Sequence, residues 1–186
     1  MLSEASQRLA DDHAALDEML IQLRKALDTG DVAVSHARLD LFWARLAVHI
    51  RAEHLHLFPA VINSLSCTSA EQTFSLTLSE AQTSVERLRA DHDFFMHGLA
   101  QAIGILRDLL KATDRHDVDD GISTVRDAVL EIEKRLVIHN ELEENRIYRW
   151  ATTNLNEQEQ AGLATRINAE LANRPPRFSR DAWSNQ

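Results

Sequence analysis

Four times along this chain, apolar residues recur at intervals of three and four, the spacing that draws one apolar stripe down an α-helix. The first stripe carries Leu9, Leu16, Leu20, Leu23 and Leu27, and the second Leu39, Phe42, Leu46 and Ala60. The third carries Val85, Leu88, Phe95, Leu99 and Leu106, and the fourth Ile122, Val125, Val129, Ile132 and Leu136. The spacing predicts a first helix from Ser3 to Asp28, closed by Gly30, and a second from Val32 to Asn63 that Pro59 bends. Ser79-x-x-Gln82 has the form of a capping box and opens the third. Ser64 to Thr77 reads as a long connection, and the charged stretch from Asp114 to Asp120 as the link to the fourth helix. A fifth, short helix is expected from Glu157 to Ala172, followed by a tail with little beyond Phe178 and Trp183 to bury. Only 5 glycines and 3 prolines punctuate 186 residues, which suits long helices and few tight turns. The expected fold is all-α: an antiparallel up-down four-helix bundle over residues 1–152, with a short C-terminal helix and tail over 153–186.

Polar residues interrupt each stripe at inward positions. His13 stands on the first, His49 and Glu53 on the second, His92 on the third, and His139 and Glu143 on the fourth. The pattern repeats once: Arg8 to His13 aligns with Arg87 to His92, and His49 to Phe58 aligns with His139 to Tyr148. Removing two carboxylates from water costs several kcal/mol each even after relaxation. A pair of cations would offset that cost, and imidazole with carboxylate suits iron, manganese or zinc. Residues four apart share a helix face, so each His-x-x-x-Glu pair can reach one centre, and His13 and His92 would complete a cage of rough two-fold symmetry. Two metals bridged by Glu53 and Glu143, with histidines as terminal ligands, is the natural arrangement.

Other function classes fall away. A net charge of −9 opposes nucleic-acid binding, which needs basic patches. A single cysteine, Cys67, rules out an internal disulfide and a thiolate-based zinc or iron–sulfur site. No apolar run is long enough to span a membrane, and the polar start, Met1 to Ala5, does not read as a signal peptide, so a cytoplasmic setting is expected. Glu53-x-x-His56 is the one fragment of a ferritin-like ligand set and has no second copy. No phosphate loop or nucleophile–base set stands out.

The two His-x-x-x-Glu pairs, the two lone histidines, and Phe58-Pro59 after the first pair resemble the hemerythrin-like (HHE cation-binding) family over residues 8 to 152. The resemblance implies a four-helix bundle around two iron ions bridged by carboxylates and an oxo or hydroxo group. It also implies a small ligand such as O₂, in sensing, storage or detoxification of oxygen, peroxide, nitric oxide or iron. Two features depart from the oxygen carriers of the family. Where they have a further histidine four residues after the third, this chain has Met96, with His97 one position on. Where their last carboxylate stands five residues after its histidine, this chain has Glu144, next to Glu143. Glu144, His56 and His97 are therefore candidates for a place at the site. Blander readings compete. A single inward histidine is most often a hydrogen-bonded core residue, the carboxylates could pair with an arginine such as Arg146, and Asp11-Asp12 and Asp117 to Asp120 read as solvated helix ends. His54 reads as a flanking residue. The rival function is a non-redox module, either a structural zinc bundle or a protein-interaction unit with a vestigial site.

Overall fold

The computed structural model describes residues 2–66, 77–175 and Phe178. Every regular element among them is helical: α1 (Glu4–Thr29), α2 (Val32–Ala52), α3 (Phe58–Ser66), α4 (Leu78–Leu109), α5 (Arg115–Leu142), α6 (Tyr148–Asn154) and α7 (Glu157–Ala172). Two π-helical turns, Glu53–Leu57 and Glu143–Ile147, join α2 to α3 and α5 to α6 without a break. Most of the expected connection from Ser64 to Thr77, with Cys67, lies outside the described residues, as does Trp183.

The helix ends show why the elements stop where they do. Gly30 takes φ of +71°, the left-handed conformation glycine adopts freely, and its N–H bonds to the Leu27 carbonyl to close α1. Arg126 also serves that end, donating to the Leu27 carbonyl at 2.9 Å and pairing with Asp28, as suits a cation at a helix C-terminus. The expected box at Ser79-x-x-Gln82 lies two residues too late. The reciprocal bonds run between Thr77 and Glu80, because Thr77 is the last residue outside the helix. The stretch read as a charged link is mostly helix: α5 begins at Arg115, and the carboxylates of its first turns favour the positive end of its dipole.

Pro59 is expected to bend the second helix, and the irregularity there is a π-turn ending two residues before it. The Phe58 N–H reaches back five residues to the Glu53 carbonyl. A wider turn gives room to a proline ring, which lacks an N–H and crowds the carbonyl four residues back. Proline is not the whole cause. The Tyr148 N–H makes the same five-residue bond to Glu143, and no proline is near. What the two π-turns share is the glutamate of a His-x-x-x-Glu pair at their first position.

The chain divides into two compact units. One comprises Met1–His13, Val48–His92 and Ile138–Asn173. Its core includes Leu9, Phe58, Leu88, Ile147, Tyr148 and Ile167. Helix α7 belongs to that core through Leu163, Ile167 and Leu171, and the Asn156–Glu159 capping box starts it. Arg51 anchors α7 from outside by pairing with Glu170 and donating to the Asn173 carbonyl. The other unit comprises Ala14–Ala47, Asp93–Val137 and Arg174–Gln186. Leu20, Leu23, Phe42, Leu99, Leu106 and Val129 are buried there, and the Arg24–Glu133 ion pair lies at its surface.

Candidate metal centre

All six predicted residues fall in the first unit, and all are buried: Glu53 and Glu143 completely, and His13, His49, His92 and His139 to 4% exposure or less. Each elongated helix supplies its share. His13 comes from α1, His49 and Glu53 from α2 and its π-turn, His92 from α4, and His139 and Glu143 from α5 and its π-turn.

The donor atoms converge as two quartets that share both carboxylates. One is His13, His49, Glu53 and Glu143; the other is Glu53, His92, His139 and Glu143. Within each quartet one ligand atom per residue lies within 4.8 Å of every other. The Nε2 atoms of His13 and His49 are 3.1 Å apart, and those of His92 and His139 are 3.0 Å apart. Glu53 sends Oε1 to within 3.3 Å of His49 Nε2 and Oε2 to within 3.3 Å of His92 Nε2. Glu143 does the same with Oε2 toward His13, at 3.2 Å, and Oε1 toward His139, at 3.1 Å.

The outer nitrogens are tied down. His49 Nδ1 lies 3.0 Å from the Asp12 carboxylate, and His139 Nδ1 lies 3.4 Å from that of Asp91. His13 Nδ1 lies 2.9 Å from Glu144, and His92 Nδ1 lies 2.8 Å from His54 Nε2. Partners of this kind fix an imidazole's orientation and tautomer, leaving Nε2 to face the centre.

Charge is balanced by proximity rather than by water. Burial pushes the Glu53 carboxyl up, yet His49 and His92 beside it hold it well below the usual carboxylate range. Burial and Glu53 both push Glu143 up, and His139 and His13 bring it below its ordinary value. Burial works against protonation of His139, but Glu143 and Asp91 overcome it and raise its pKa to about 9. His13 is raised in the same way against burial, by Glu143 and Glu144. Without metal, then, protons on His13 and His139 do the neutralising.

Those protons leave two acceptors unmatched. Glu53 Oε2 and Glu143 Oε1 are buried and find no hydrogen bond, although histidine nitrogens stand close by. Nitrogen and oxygen lone pairs directed at a shared space, rather than along N–H···O lines, are what a cation needs. The donor set is hard to borderline, with imidazole and carboxylate and no thiolate, and it fits iron, manganese or zinc.

The remaining candidates separate cleanly. Glu144 reaches the site, through His13. His56 instead lies 3.8 Å from Glu170 on α7. His97 is exposed and bonds to the Asp93 carbonyl one turn back, so it does not replace the missing histidine. Two readings are overturned. Asp12 is no solvated helix end but is buried against His49, because the turn that aims His13 inward carries its neighbour toward the adjacent helix. His54 is no mere flanking residue, since the wide π-turn at Glu53 brings it onto His92.

Tyr148 was not anticipated at all. Its hydroxyl lies 3.2 Å from Glu53 Oε1, 3.2 Å from His13 Nε2 and 3.4 Å from Glu143 Oε2, among the donor atoms themselves. Burial pushes its pKa well above the ordinary value, and the adjacent carboxylates push it further, so it is a phenol that donates. The repeat held the signal for these residues. Aspartate precedes each lone histidine, and an aromatic residue follows each glutamate by five.

No curated protein and no solved structure matches the chain. A family model does: the hemerythrin HHE cation-binding domain matches residues 4–151. Most of the sequence lies within that match, and the chain belongs to the hemerythrin HHE cation-binding family.

Proposed function

We propose that this protein holds two iron ions between Glu53 and Glu143 and binds O₂ or a related small ligand, in sensing, storage or detoxification of oxygen, peroxide, nitric oxide or iron. One observation carries the reading: two quartets, each with two histidines, share both glutamates, and each glutamate keeps a buried oxygen without a hydrogen bond. His13 and His49 would hold one cation and His92 and His139 the other, with the carboxylates spanning both. Bound iron would supply a redox centre and a Lewis acid.

The chain's own residues do the rest. Asp12, Asp91, Glu144 and His54 orient the imidazoles. Phe58 and Tyr148 wall the centre, stacking on His92 and His13 at ring distances of 6.0 and 5.7 Å, and keep water from the carboxylates. The Tyr148 hydroxyl offers a proton donor at the His13 side. The reading goes with an antiparallel up-and-down bundle, in which α1, α2, α4 and α5 each bring a histidine to one level. It also suits a cytoplasmic setting: no helix of the described residues is long and apolar enough to cross a membrane, and a lone cysteine forms no internal disulfide.

The test is metal content and absorption of protein expressed with added iron, before and after azide. Two irons per chain, with near-ultraviolet charge-transfer bands that shift on azide addition, are expected. Zinc or no metal with a flat spectrum would refute the reading and favour a structural or interaction module.

A further inference from the structure

The two quartets are related by the internal repeat, but their surroundings are not alike. Asp12 behind His49 and Asp91 behind His139 are the same device used twice. The residue after each bridging glutamate is where the halves diverge. Glu144 follows Glu143 and places Oε1 2.9 Å from His13 Nδ1. His54 follows Glu53 and places Nε2 2.8 Å from His92 Nδ1. The His13–His49 position therefore has carboxylates behind both imidazoles, and the His92–His139 position has a carboxylate behind one and an imidazole nitrogen behind the other. A carboxylate accepting from Nδ1–H draws the proton outward and makes Nε2 a stronger donor to a cation. The position five residues after each glutamate also differs between the halves. Tyr148 brings a hydroxyl to the His13 side, and Phe58 brings a bare ring to His92.

We infer that the two cation positions are inequivalent, that the His13–His49 position fills first, and that the choice of Glu144 against His54 sets the order. The inference rests on the two-cation reading above. Glu144 acts through His13 rather than as a ligand, and its side chain is 44% exposed, so the site would survive its replacement.

The experiment is anaerobic calorimetric titration of the full, metal-free chain with Fe(II), with circular dichroism to verify helicity. The wild type should take two ions in two resolved steps. Glu144→Gln should weaken the tighter step by roughly 10–100-fold, the usual cost of losing such a partner, and leave the looser step in place. His54→Glu should strengthen the looser step and bring the two together. Two ions bound with both steps unmoved in both variants would overturn the inference while leaving the two-cation reading intact, and so would Glu144→Gln weakening the looser step instead. A wild type that takes fewer than two ions would defeat the two-cation reading itself, and the inference with it.

Discussion

Stripping the metal and raising the pH should destabilise this protein in a particular window. His139 carries the argument, since Glu143 and Asp91 raise its pKa from 6.5 to about 9. A group whose folded pKa is raised favours the folded state while it is protonated there, so the stabilisation is fully present below about pH 6.5. It is lost as the pH climbs through about 9. The difference is about 2.5 pH units, which at 1.36 kcal/mol per unit is on the order of 3 kcal/mol. His13, also raised, acts with the same sign. Glu53 and Glu143 act oppositely: their lowered values give stability that is present above the ordinary carboxylate range and lost as the pH falls through the folded values. The metal-free protein should thus be most stable between roughly pH 4.5 and 6.5. Bound cations need deprotonated imidazoles, so the loaded protein should not share the alkaline loss and should release protons as it loads. The assay is urea unfolding followed by circular dichroism, on chelator-treated and iron-loaded protein, from pH 5.5 to 9.5 in steps. Stability of the metal-free chain that stays level between pH 6 and 9.5 would refute the claim that imidazolium holds the empty centre together.

Four further outcomes follow from named positions. Glu53→Ala should empty both cation positions, whereas His13→Ala should cost one; elemental analysis of purified variants distinguishes them, and equal losses would contradict the shared-carboxylate geometry. Tyr148→Phe removes a buried hydroxyl within reach of two carboxylates and should cost the metal-free protein about 1.5–3 kcal/mol in chemical denaturation, as for hydrogen bonds to charged groups. Gly104→Ala, in the interior of α4 with nothing within 4 Å of the added carbon, should gain roughly 0.5–1 kcal/mol. Gly30→Ala, at a φ of +71°, should lose stability by a similar order, and both are read from thermal melts.

Helix periodicity made the elements legible. The stripe through Leu9, Leu16 and Leu23 predicted α1 to within a residue at each end, and the one through Leu163, Ile167 and Leu171 predicted α7 from Glu157 to Ala172. The six inward histidines and glutamates were legible for the converse reason, since charge on an apolar stripe is costly and therefore conspicuous. Asp12, His54 and Tyr148 were hidden because their roles depend on neighbouring helices. A stripe says which residues face inward, but not that Asp12 will meet His49 across a helix pair. Tyr148 was hidden also because a strict interval of three or four drops it from the stripe of Glu143, and only a π-turn restores it.

That turn has a consequence for how the chain tolerates change. An α-helix advances roughly 100° per residue, so a residue five positions on normally faces away. The π-turn absorbs one surplus residue, and His139, Glu143 and Tyr148 stay on one side of the helix despite it. Each of the two long helices thus holds a slot one residue long. Removing exposed Asn145 would let α5 and α6 close as an ordinary α-helix, bringing the tyrosine to four residues from its glutamate and leaving it facing the centre. Adding a residue at the same place would find no slot left, and would turn Tyr148 and all of α6 away from the carboxylates.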